Sequence, residues 1–274
     1  MFKKLLFASL MLLNLATIAQ DSSKQTPAPA ATESSIPTGL TYDLQLVSRY
    51  YWRGLDIDNA PAFQPDFGYT WKNGFRAGLW GTFGFKQMKE TVDGVTEKFG
   101  NYAEFDPYIS YTKNWFSVEL NDYFTVSTIG ESNYTNFKKG ETGHSGVINI
   151  AMGGTKKFPL IFTASTVVYG ADMAKDANGE WGLGDKNNYS SYLELIYPIM
   201  VKSIDLEIAP EFAMTPWGSG YYLTEKAAIV SAGVRLSKSL KFSEKYSMPV
   251  EISLLNNPNL KRTFFVAKFS FLTK

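Results

Sequence analysis

Ionisable side chains recur at alternate positions inside otherwise apolar segments of this chain. Glu104 and Asp106 flank Phe105, Asp205 and Glu207 flank Leu206, and Arg49 and Arg53 stand four apart. Alternate positions of an extended segment lie on one face. One face therefore gathers Asp43, Asp66, Glu104, Asp106, Glu119, Glu194, Asp205, Glu207, Glu211 and Glu251, with the bases Arg49, Arg53, Arg76, Arg235 and Lys268. Charges arranged this way can line a water-filled lumen, where a carboxylate excess favours cations. They can also pair with one another and fill the interior, since small barrels are packed and large ones open.

Other chemistries are weaker. His144 is the single histidine and precedes Ser145. A lipid hydrolase would need that imidazole against a serine, and chain neighbours seldom reach nucleophile–base geometry. Asp176, Asn178, Glu180 and Asp185 could offer oxygens to calcium, but their spacing misses the twelve-residue calcium loop. Trp181 and the run Trp217-Gly218-Ser219-Gly220-Tyr221-Tyr222 could stack on sugars or sit at lipid headgroups. No phosphate-binding glycine loop, zinc spacing or nucleophile elbow occurs. The expectation is a non-enzymatic protein without catalytic residues, cofactor or metal.

The elements that must position these charges are strands. Twelve alternating segments are predicted: Leu40–Trp52, Phe63–Trp71, Phe75–Phe83, Ala103–Tyr111, Phe116–Val126, Val147–Lys156, Leu160–Tyr169, Tyr189–Tyr197, Ile204–Met214, Ala227–Leu236, Met248–Leu254 and Arg262–Phe271. Short breaks (Lys72-Asn73-Gly74, Thr112-Lys113-Asn114, Lys156 to Pro159) alternate with long polar ones (Lys86 to Asn101, Ile129 to Ser145, Gly170 to Asn188). That rhythm belongs to an all-β, antiparallel transmembrane β-barrel of about twelve strands, with short periplasmic turns and long extracellular loops. A soluble sandwich turned the other way out is the competing fold. Tyr50 and Trp52 are expected in an outer aromatic girdle, and Tyr69, Trp71, Tyr111 and Tyr197 in a periplasmic one. Val230, Ala232, Val234 and Leu236 are assigned to the apolar face. Prolines 65, 107, 210 and 249 fall inside strands and imply bulges.

Of 274 residues, 45% are hydrophobic and 15% aromatic, with no cysteine and net charge +1. Near neutrality argues against nucleic-acid binding. Lys3-Lys4, the apolar Leu5 to Ile18 and Thr17-Ile18-Ala19 read as a signal peptide over 1–19. Residues 20–38, rich in Pro, Ala, Ser and Thr, read as a disordered periplasmic linker. The barrel then occupies 39–274, with both termini periplasmic, and the aromatic strand end Phe269-Ser270-Phe271 resembles an outer-membrane assembly signal. Expected partners are outer-membrane lipid, the barrel-assembly machinery and small hydrophilic solutes or ions.

Ser48-Arg49-Tyr50-Tyr51-Trp52-Arg53-Gly54, Ala60-Pro61-Ala62-Phe63-Gln64-Pro65, Gly74-Phe75, Gly78-Leu79-Trp80-Gly81, the stretch Glu104 to Tyr111 and Tyr192-Leu193-Glu194 resemble a family of Gram-negative proteins described as porins of the TorF type. The resemblance implies a channel-forming outer-membrane barrel and brings no catalytic residues. The resulting expectation is passive diffusion of small hydrophilic solutes with mild cation preference. The alternatives are a closed barrel acting through its loops and, less favoured, a lipid hydrolase requiring His144.

Overall fold

The computed structural model describes residues 38–272, except 93–94, 127–132 and 245. The expected signal peptide, nearly all of the expected linker, and Thr273-Lys274 lie outside the described residues. Fifteen strands follow: β1 (Gly39–Val47), β2 (Tyr50–Trp52), β3 (Leu55–Asp58), β4 (Ala62–Thr70), β5 (Phe75–Val92), β6 (Val95–Lys113), β7 (Phe116–Phe124), β8 (His144–Gly153), β9 (Ile161–Gly170), β10 (Ser191–Ile196), β11 (Ile199–Val201), β12 (Leu206–Thr215), β13 (Ala228–Lys241), β14 (Ser247–Asn257) and β15 (Arg262–Leu272).

Sequential neighbours pair antiparallel from β4 to β10, and from β12 to β15. β1 lies between β4 and β15, and β10 pairs with β12, which closes the ring. β11 continues β10 along β12 in the same register, from Ile196↔Glu211 to Ile199↔Ile208. β2 and β3 form a separate hairpin. The ring therefore has twelve strands, as the sequence rhythm predicts. Closure leaves no open sheet edge, which is what lets a β-structure satisfy its backbone inside lipid.

Tight connections gather at one end. Gly74 turns with φ 93° between β4 and β5, and Asn114, with φ 55°, opens the two-residue link from Lys113 to Phe116. The other end holds the longer connections 48–61, 171–190 and 216–227, together with the short link 258–261 between β14 and β15. The expected break Lys86 to Asn101 is instead a long extension of the β5–β6 hairpin, with Gln87↔Asn101 and Val92↔Val95 paired. Its alternation of polar types hid a ladder that continues beyond the barrel wall.

The prolines do not mark bulges. Each sits where one of its two flanking ladders is interrupted while the other stays in register. Pro65 pairs with Leu44 of β1, and pairing to β5 lapses between Phe63↔Phe83 and Asp66↔Trp80. Pro107 pairs with Leu79, and the β6–β7 ladder begins only at Tyr108. There the Asp106 carboxylate accepts the Phe124 N–H at 2.9 Å in place of a ladder carbonyl. Pro210 pairs with Val234 and faces the gap between β10 and β11, and Pro249 precedes the first β14–β15 pair. A residue without an N–H is accommodated where no donor is needed.

The outer face of the wall is apolar and exposed: Leu40, Phe67, Tyr69, Trp71, Phe83, Ile109, Tyr197, Ile252 and Phe265 all project from it. The core lies inside the ring. The wall ladders do shift register elsewhere, in β5–β6 beyond Phe83, in β8–β9 at Gly146/Val147, and between Ala213 and Met214 of β12, where Val230 of β13 is the extra residue opposite the shift. Val230 is consequently fully buried in the interior rather than on the apolar outer face. A bulge reverses the inside–outside parity, which pattern reading alone does not detect.

Candidate functional site: a constriction inside the barrel

After β1 the chain turns inward instead of rising out of the barrel. Ala267 N–H donates to Ser48 Oγ and Ser48 N–H to Ala267 O, fixing the bend to the wall. Beyond it, Tyr50 to Asp58 fold back on themselves as β2–β3. Trp52 pairs with Leu55, so Arg53-Gly54 is a two-residue turn, and both residues have positive φ, 45° and 90°. That is the mirror-image turn that suits a tight hairpin. Gly54 is required twice over, because a Cβ there would stand 2.1 Å from the Val230 carbonyl oxygen.

The hairpin is tied to widely separated wall strands. Tyr50 Oη donates to Glu104 at 2.8 Å, and Tyr51 Oη meets Ser231 Oγ at 2.9 Å. Arg53 donates to Tyr222 Oη at 3.0 Å, Asn149 Oδ1 at 2.8 Å and Ser165 Oγ at 2.7 Å. The Asn257 amide donates to Gly54 O at 2.9 Å. Trp52 stacks on Tyr222, with ring centroids 5.5 Å apart and planes at 18°. Tyr50, Trp52, Trp80, Tyr102, Tyr123, Tyr192, Tyr221 and Tyr222 form one buried aromatic cluster across the lumen. Tyr50 and Trp52 are therefore not an outer girdle; at 1% and 0% exposure they fill the barrel interior.

A second inward segment supplies Tyr221 and Tyr222, which do not stay at headgroups or in an extracellular loop. Ser219 and Thr224 bridge a short turn, and Tyr222 N–H donates to Ser219 Oγ. Ser219 also joins Ser190, whose N–H and hydroxyl both donate to Asp172. Burial pushes the Asp172 carboxyl above its usual range, and the two Ser190 bonds oppose that rise. Trp217 remains exposed.

The residues chosen from sequence as pore-lining are distributed over several separate clusters. Arg53, Glu104 and Asp106 belong to the constriction or bond to its supports. Glu194, Glu211 and Arg235 form one buried network: Arg235 donates to Glu211, which also accepts from Ser231, and Arg235 lies 3.7 Å from Glu194. Glu251 pairs with Lys268 at 3.3 Å, and Arg49 with Asp56 at 3.1 Å. Nearer the short-turn end, Arg76 donates to Tyr108 at 2.8 Å and Thr41 at 2.6 Å, with Asp66 at 3.4 Å. Glu119 accepts from Asn121 and Asn149. Glu207 is half-buried on β12.

Sequence reading missed Tyr50, Trp52, Tyr221 and Tyr222 as lumen residues. The available signal was Arg53-Gly54, a two-residue turn flanked by Tyr50, Trp52, Leu55 and Ile57 in hairpin alternation.

The remaining candidates have structural partners. His144 Nδ1 contacts Asp122 at 2.9 Å and Nε2 contacts Tyr134 O at 2.7 Å, so neither ring nitrogen addresses a serine. Asp176 Oδ1 accepts the N–H groups of Asn178 and Glu180, the bonding of an Asx turn. No group of three or more metal-ligating side chains occurs among the described residues. Trp181 donates to Glu225 and carries Lys175 over its ring.

A family model described as "Bacterial protein of unknown function (Gcw_chp)" matches residues 30–213. The chain belongs to this family. Its match covers the inward hairpin and every wall strand up to β11. The family's description does not carry the TorF name. No curated protein matches the chain. Among solved structures, one described as "KdgM porin in complex with disordered oligogalacturonate" is similar at 10% identity and TM-score 0.41. That alignment covers 86% of this chain and 98% of that one.

Proposed function

We propose that this protein is an outer-membrane, porin-like channel for ions and small hydrophilic solutes, held in a constricted state by the β2–β3 hairpin. The exposed apolar outer face suits insertion in lipid, and the charged inner face suits an aqueous path. The observation that carries the reading is that the obstruction is a separate segment. The ring closes without β2–β3, and the hairpin reaches its neighbours through side chains and one amide–carbonyl contact rather than through a ladder. Such a segment can be displaced without unzipping a wall strand.

The pore-lining assignments made from sequence belong to this proposal. Glu119, Glu207 and Asp43 lie outside the constriction, and their surplus supports a mild preference for cations at the periplasmic mouth.

Planar-bilayer recording tests the reading. Wild type should give small or infrequent openings, and replacing residues 50–58 by a Gly-Ser link should give large, steady ones. A folded deletion variant as silent as wild type would sink the channel. Full burial of Trp52, Tyr221 and Tyr222 favours the second reading, a closed barrel acting through its extracellular segments. That reading predicts silence from both proteins.

A further inference from the structure

A cavity of about 30 Å³ remains between the hairpin and the wall, lined in part by Arg49, Arg53, Gln64, Arg235, Glu251 and Lys268. That exceeds the space needed to hold one water. Four cationic side chains and one carboxylate border it. Three of the cations have a carboxylate partner: Arg49 has Asp56, Arg235 has Glu211, and Lys268 has Glu251. Arg53 has none at ion-pair distance among the described residues. Its three bonds go to neutral acceptors, its Nε–H has no acceptor, and the residue is 3% exposed.

A guanidinium cannot discharge by losing its proton. Burying it without a counter-charge costs several kcal/mol, and an orphaned donor adds to that cost. Stacking on Trp52 at 4.6 Å and Tyr192 at 5.0 Å recovers part, since aromatic faces attract cations. Glu194 lies past Tyr192, held by Tyr192 Oη at 2.9 Å and by Arg235.

We propose that this cavity binds one small anion, a halide or the carboxylate end of a small organic acid, against Arg53 Nε–H. Arg49, Arg235 and Lys268 are already matched by carboxylates, so the uncompensated charge at the cavity is that of Arg53. The anion neutralises Arg53 in place and leaves the carboxylate surplus elsewhere in the lumen to set the charge preference.

The test uses the full-length protein in detergent micelles, so it does not depend on conduction. Calorimetric titration with bromide and, separately, with acetate is run at constant ionic strength, with a bulky sulfonate as balancing anion. Saturable one-site binding is expected. Arg53→Gln should weaken it at least tenfold, roughly the worth of one charge-assisted bond. Arg53→Lys should retain part of it, because the charge stays and the planar fork is lost. Bromide binding alone assigns the site to a halide, and acetate binding to a carboxylate. Absence of saturable binding of either anion overturns the proposal. So does unchanged binding in an Arg53→Gln protein whose strand content and heat-modifiable migration match wild type.

Discussion

The wall and the plug of this barrel are built from the same residue types and held by different forces. Each wall strand is bonded along two ladders, and its outward side chains need only be apolar. The plug has one three-residue pairing of its own, β2 with β3, and is otherwise fixed by buried side chains. Backbone ladders are redundant, so losing one contact is shared by its neighbours. Side-chain anchors are few, and each is satisfied in one geometry. The wall therefore tolerates local change, while the plug can be released as a unit.

The largest expected effect comes from removing the plug. Deleting residues 50–58 should raise single-channel conductance from near zero to a steady level without loss of heat-modifiable barrel migration. Unfolding of that variant would make the hairpin part of the fold rather than a plug, and the contrast between the two regions would fail. A wall change should act in the opposite sense. Ile252, at the centre of β14 and 41% exposed, faces outward. Ile252→Arg should cost about 2–4 kcal/mol if that point lies at the bilayer midplane. Urea unfolding in lipid vesicles should register it, and conductance per folded channel should stay unchanged.

Trp52→Ala follows. Removing a buried tryptophan costs about 3–5 kcal/mol of packing. Here the loss falls on hairpin docking, so leak frequency should rise while the urea midpoint of the wall stays near wild type. Gly54→Ala should release the hairpin through geometry alone, because the added Cβ meets the Val230 carbonyl at 2.1 Å and φ is +90°. Protease cutting at the hairpin, with the wall intact, would register that release.

The two regions were also unequally legible. Wall strands follow from period-two patterning, because one face must be apolar and the other polar. All twelve segments were readable, and most of the charged residues lie on the inner face, since strand parity is a local property. Asp205 is the exception, an exposed turn residue with φ 51° just before β12. The plug follows no such rule. Tyr50 and Trp52 continue the parity of Leu44 and Leu46, so pattern alone extends β1 outward through them. What redirects the chain is a bend at Ser48-Arg49 bonded to β15, more than two hundred residues away. Val230 was misplaced because its place as the extra residue of β13 shows only in the pairing with β12 and not in the β13 pattern itself. The aromatic pair Tyr221-Tyr222 could not be assigned inward because girdle and core use the same rings.

The smallest expected effect tests whether the plug responds to protons. Asp58, on the non-spanning hairpin, is half-buried, and this desolvation raises its carboxyl to about 6. Lys86 and the Ala60 N–H pull it down, and Asp56 pushes it up. A carboxyl whose pKa is raised on docking binds its proton more tightly in the docked state. Its contribution to docking is thus fully present below the ordinary carboxylate pKa of about 4 and is lost as pH rises through about 6. Leak through the wild-type barrel should be lower at pH 5 than at pH 7.5, and Asp58→Asn should flatten that profile near its acidic level. Because Asp58 remains partly solvated, the change should be a modest fold-difference in open probability rather than an on–off transition. A pH profile unchanged by Asp58→Asn would place the proton response elsewhere in the barrel. The plug would then be held by packing and by the hydrogen bonds of Tyr50, Tyr51, Arg53 and Gly54, with no titratable contribution from Asp58.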